Sequence, residues 1–191
     1  MRTHVHLPSL SSPSLISGRR KNINIPTNLP IIFSAGPIRN APPWHSLVIR
    51  HILEKDPEVF FACPAWKIDP DLVRFIEKDK SVYELFLRQR AWEQHYMYRA
   101  AESGCIFFWL CGEAPEKEFE GKVYSHITMM ELGKWIERKK LLPQTRLVIG
   151  TDGRFPEWST IDFEIGTELP TFRICSSLKE TVEAALRMAS F

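Results

Sequence analysis

Seven consecutive apolar residues, Cys105 to Cys111 (CIFFWLC), stand between Gly104 and Gly112. A bilayer needs about 20 such residues, so this run does not span one. It also lacks the alternation of a strand with one wet face. Apolarity on both faces belongs to a strand covered on both sides, as in the middle of a parallel sheet. Cys105 to Leu110 is therefore predicted as a central strand. It is also the longest apolar stretch in the chain, so no transmembrane segment is expected.

The text on either side alternates in the way such a sheet requires. Pro30 to Ala35 (PIIFSA) reads as a strand closed by the Gly36-Pro37 turn signal, and Trp44 to Leu53 spaces its apolar residues as a helix does. Val59 to Ala62 is a second strand, and Asp69 to Lys80 a charged connection. Ser81 to Ser103 runs without Gly or Pro and predicts a long helix stopped by Gly104. After the central strand, Glu113 to Tyr124 reads as a polar loop. Ser125 to Lys140 comes next as a helix capped by Ser125 or Thr128, with Arg138, Lys139 and Lys140 suiting its C-terminal dipole. Arg146 to Ile149 and Phe172 to Cys175 supply two more strands, with aromatic residues Phe155, Trp158 and Phe163 in an intervening loop over 150 to 166. Ser177 to Met188 is a last helix, with Ser177 and Glu180 at capping-box spacing. The expected fold is an α/β, open, parallel five-stranded sheet with helices on both faces.

Length and charge narrow the functional classes. The 191 residues suit one domain, expected at 29 to 191. Residues 1 to 28, with five serines, four basic residues and no acid, read as a flexible tail, the alternative being an organellar transit peptide. Residues 1 to 53 hold six basic residues and no acid, which leaves 19 basic against 23 acidic in the other 138. A mildly acidic body argues against nucleic acid as a partner. The four cysteines, 42, 6 and 64 residues apart, fit neither a metal pair nor a secreted disulfide framework, so a reducing, cytoplasmic setting is expected. The scattered histidines give no metal spacing, and neither a metal nor a cofactor is expected.

Ligands of such sheets bind beyond the carboxyl ends of the strands, near the point where strand order reverses. Gly36-Pro37-Ile38, Cys111-Gly112-Glu113 and Gly150-Thr151-Asp152-Gly153 fall at that edge, as does the start of the helix carrying Glu131. IFSAGPI at 32 to 38, RQRAWE at 88 to 93, CIFFWL at 105 to 110 and TMMELGKW at 128 to 135 stand there in order. Together these four motifs resemble the nucleoside 2-deoxyribosyltransferase family over roughly residues 31 to 152. The resemblance implies a flavodoxin-like fold, a glutamate nucleophile at Glu131, and a homo-oligomer whose active sites are assembled between subunits. It also implies a small-molecule nucleoside or nucleotide and a nucleobase as partners.

The residues themselves agree in part. A carboxylate in the first turns of a helix lies in the field of free backbone N–H groups, which favours the anion that nucleophilic attack on C1′ requires. Met129, Met130, Leu132 and Trp135 surround Glu131 in the sequence, and Met130 is expected at the substrate. A solvated helix glutamate is the alternative. Ala35, Gly36 and Pro37 would floor the sugar, or form an ordinary strand-to-helix turn. Trp44 would wall the base or staple the first helix. Trp92 and Glu93 hold the family's Trp-Glu position, where Glu93 would bond a sugar hydroxyl or lie on the surface. Arg39 is placed for a 5′-phosphate or is a turn arginine.

Departures from the family matter as well. Many characterised transferases of that family carry an aspartate at the start of the central strand and another six residues before the nucleophile, where carboxyl groups help handle the base and its proton. Gly104 and Ser125 stand in those places here. A positioned acid or base is worth ~10²–10⁴ in rate. Asp152, between Gly150 and Gly153, is the preferred substitute and His126 the second, although a turn aspartate and a surface histidine are the plain alternatives. The expected function is cleavage or exchange of an N-glycosidic bond through a glycosyl-enzyme. The competitors are a nucleoside or nucleoside 5′-monophosphate hydrolase and a non-catalytic nucleotide-binding module.

Overall fold

The computed structural model describes residues 4–6, 29–55, 58–65, 76–77, 86–115 and 124–190. Its strands are β1 (His4–His6), β2 (Ile31–Ala35), β3 (Phe60–Ala62), β4 (Ile76–Glu77), β5 (Cys105–Leu110), β6 (Leu147–Thr151) and β7 (Ile174–Cys175). Its helices are α1 (Trp44–Lys55), α2 (Phe86–Ser103), α3 (His126–Leu141), α4 (Trp158–Glu168) and α5 (Leu178–Ala189). β5 lies between β2 and β6, and all six of its residues are buried. Ile32–Ala35 pair with Cys105–Phe108, and Ile106–Leu110 with Leu147–Thr151, in parallel register.

The five strands expected from sequence run β3-β2-β5-β6-β7 across the sheet, and every pairing is parallel. This is the flavodoxin-like order, in which the chain leaves its first strand, crosses to one side, and returns on the other. Two short strands extend the sheet beyond β3. β1, inside the stretch expected to be a tail, pairs with Phe60–Ala62, and β4, inside the expected charged connection, pairs with β1. The remainder of 1 to 28 lies outside the described residues.

Helices cover both faces. Ile32 and Phe107 point to the side where α1 brings Val48, Ile49 and Ile52 and α5 brings Val182 and Ala185. Phe33 and Phe108 point to the other, against Trp92 and Tyr96 of α2, Leu132 and Trp135 of α3, and Ile165 of α4. Adjacent strand residues alternate between the two cores, which is why β5 must be apolar throughout. Leu47, by contrast, is exposed on α1.

The expected loop over 150 to 166 is in fact half helix. Trp158, Ile161 and Ile165 recur at helical spacing and turn toward the core, while Phe155 beside them is buried. Phe163 points outward and is exposed. No Asn, Asp, Ser or Thr marks the start of α4: its N-cap is Glu157, in left-handed conformation and without a side-chain cap.

Candidate functional site

The switch point lies between β2 and β5, and the loops leaving the carboxyl ends of these two strands frame the site. Gly36 has φ 147°, and a Cβ there would lie 2.4 Å from the Trp109 carbonyl oxygen and 2.9 Å from Cζ2 of Trp44. Glycine is required by that close approach. Trp44 is buried, its indole N–H donates to the Pro37 carbonyl at 2.8 Å, and its ring stacks on His45. It is a staple between the turn and α1. Ala35 and Pro37 are buried, while Arg39 is exposed in the same loop. Asn40, at φ 57°, donates through Nδ2 to Glu113 at 3.2 Å and accepts from the Ala114 N–H at 2.7 Å. The loops after β2 and β5 are thereby tied together.

α2 brings a second set of groups to this edge. Its C-terminal Gly104 sits against the backbone of Ile31, at the start of β2, so its N-terminal half lies toward the strands' carboxyl ends. Trp92 is fully buried, with its ring 6.0 Å from Phe33 and 4.7 Å from Tyr96. It is a core anchor that orients its neighbour Glu93. Glu93 is 6% exposed, accepts from Gln89 Nε2 at 2.8 Å, and pairs with Arg90 Nη1 at 2.5 Å.

α3 completes the group. Ser125 stands at its N-cap but in left-handed conformation, which takes the hydroxyl away from the free N–H groups, and neither Ser125 nor Thr128 makes the expected cap. Five residues beyond His126, which is exposed, Glu131 offers Oε1 to Arg90 Nη2 at 2.6 Å. Its side chain is 14% exposed, and among the described residues no other group bonds its Oε2. Leu132 and Trp135 lie beneath it in the core, but Met130 is 62% exposed and turned outward. A Cβ on Gly133 would meet open space, so no strand among the described residues lies against it.

One guanidinium thus holds two carboxylates. Burial pushes the Glu93 carboxyl up to about 7, and the nearby Glu131 charge adds to that, against the opposing pull of Arg90 and Gln89. The Arg90 guanidinium is held above its ordinary value by Glu131 and Glu93, despite its own burial. A Glu131 oxygen that no other group bonds among the described residues thus stands beside a carboxyl raised to about 7 by burial.

No family model and no curated protein matches this chain.

Asp152 stands apart from this group in its bonding. Its two oxygens accept from the Gly112 N–H at 3.1 and 3.3 Å, and from N–H groups of Arg154 at 2.7 to 3.1 Å. It clamps the β5 and β6 loops as a turn aspartate does. Tyr124 supports the same loop by donating to the carbonyls of Cys111 and Gly112, each at 3.1 Å. Among the described residues no group of three or more His, Cys, Asp or Glu stands where it could hold a metal ion, and no helix is long and apolar enough to cross a membrane.

Arg90 and Gln89 went unnoticed as site residues in the sequence, although both lie in RQRAWE. The signal was their spacing from Glu93, i−3 and i−4, which sets all three on one helix face.

Proposed function

We propose that this chain cleaves or exchanges the N-glycosidic bond of a deoxynucleoside, with Glu131 as nucleophile and a glycosyl ester as intermediate. The carrying observation is Glu131 itself: a nearly buried carboxylate at the carboxyl edge, one oxygen fixed by Arg90 and the other unpaired among the described residues. Arg90 orients the anion and stabilises it, while the free oxygen is the one able to reach an anomeric carbon. The glycine turn at Gly36 and the linked loops at Asn40 and Glu113 border the same edge, and exposed Arg39 suits a 5′-phosphate on the substrate. Buried Trp44 and Trp92 serve by shaping the wall rather than by touching a ligand.

The same reading includes a homo-oligomer. Ile127 and Met130 on α3 and Phe163 on α4 are exposed apolar side chains, of the kind that subunit contacts cover.

Intact-protein mass spectrometry after brief incubation with a deoxynucleoside tests the proposal. A gain of one deoxyribosyl unit is expected, absent in Glu131→Ala. Adding a free base separates the outcomes further: a new nucleoside means transfer, and free sugar alone means hydrolysis. Ligand binding with no adduct and no turnover would leave a binding module.

A further inference from the structure

The site lacks the aspartates that the family it resembles uses for the departing base, and Asp152 bonds Gly112 and Arg154, neither of which bonds Glu131. Glu93 is differently placed. It shares with Glu131 a single cation, Arg90, whose Nη1 and Nη2 reach one carboxylate each at 2.5 and 2.6 Å. Retaining glycosidases hold their two carboxyls about 5–5.5 Å apart, a spacing that one guanidinium fork spans. Among the described residues, the groups facing Glu93 are Gln89 and Arg90 on its own helix and Glu131 on α3.

We propose, on the strength of the glycosyl-transfer reading, that Glu93 is the proton donor and acceptor for the base, acting as partner to the nucleophile Glu131. One guanidinium balances one negative charge, so two mostly buried carboxylates around it favour a state in which one keeps its proton. The Glu93 side chain is the more buried, 8% exposed against 14% for that of Glu131, and keeps it.

The chemistry then balances. A Glu131 oxygen forms a bond to C1′ as the C1′–N bond breaks, its electron pair going to the base, which takes the Glu93 proton. Glu131 is now a neutral ester and Glu93 an anion, so Arg90 faces one negative charge before and after. In the second step water or an incoming base attacks C1′ and gives its proton to Glu93, while the ester bond breaks to restore the Glu131 carboxylate. The charge passes from one arm of Arg90 to the other and back.

Matched leaving groups test this in the full chain. 2′-Deoxyguanosine loses its base with a proton, whereas N7-methyl-2′-deoxyguanosine carries a cationic base that departs without one. Glu93→Gln is expected to lower kcat/KM for the first substrate by ~10²–10⁴ and for the second by only a few-fold, with the Glu131 adduct forming from the second in both proteins. Wild-type kcat/KM on deoxyguanosine should fall as pH rises through about 7, where Glu93 loses its proton. That fall should be missing with the methylated substrate and in Glu93→Gln, and restored by Glu93→Asp. Equal losses on both substrates in a variant whose melting profile is native would reduce Glu93 to a holding role and overturn the assignment. Failure of the wild type to form an adduct from either substrate would instead remove the Glu131 reading, and this assignment with it.

Discussion

Glu131, Arg90 and Glu93 form a unit in which one guanidinium is shared by two carboxylates. Replacing Glu131 by Gln removes the anion while keeping the shape, so turnover should fall by about 10⁴-fold or more. Stability should change by only about 1 kcal/mol, because the lost pair with Arg90 is partly solvated. Glu93 gives a second, thermodynamic readout. Its carboxyl is raised from 4.5 to about 7, so between those pH values the folded chain holds a proton that the unfolded chain has released. Stability must therefore fall as pH rises across that window, by up to about 3 kcal/mol. Glu93→Gln lacks that proton. Urea titrations of both proteins from pH 4.5 to 8 should show the variant gaining on wild type through the window, and a constant difference would contradict the burial. The cysteines test a different part of the core. All four are free and buried, and burial pushes the Cys63 thiol up to about 11 and that of Cys111 up to about 12. Ellman's reagent should find none in the native protein and four once it is unfolded.

Elements divide into those announced by local chemistry and those that were not. α5 was announced by Ser177 and Glu180: the Ser177 hydroxyl accepts from the Glu180 N–H at 3.2 Å, and the Glu180 carboxylate returns to the N–H of Ser176 at 3.0 Å. Ser177→Ala should cost about 1 kcal/mol in chemical denaturation. The helix is held close to the sheet by Gly150, where a Cβ would lie 1.8 Å from Thr181 Oγ1. Gly150→Ala should lower stability by about 1–3 kcal/mol, since Thr181 is fully buried and has nowhere to move. α4 was not announced. Glu157 at its N-cap gives no helix-start signal, and the outward Phe163 obscured the spacing of Trp158, Ile161 and Ile165. The caps expected for α3 failed for a related reason. Ser125 is the right residue type, but whether its hydroxyl reaches the free N–H groups depends on its φ, which at 61° takes it away from them.

For the molecule as a whole, exposed Ile127, Met130 and Phe163 bear on assembly. Analytical ultracentrifugation should give a species heavier than the 22.2 kDa chain, and Met130→Lys with Phe163→Lys should shift it toward that mass. A wild-type protein that sediments as a monomer would leave the site to one chain. The sequence by itself determined the five strands of the flavodoxin-like order and most of the helices that cover them. Those depend on apolar spacing and turn residues within a few positions of each other. Only the tertiary structure decided that Arg90 would hold both Glu93 and Glu131, that Asp152 would be engaged by Arg154 and Gly112, and that Trp44 and Trp92 would face the core. The first of these choices arises from packing α2 and α3 on one face of β5, while Trp44 belongs to α1 on the other face. A contact between side chains on different elements has no counterpart in any local stretch of chain.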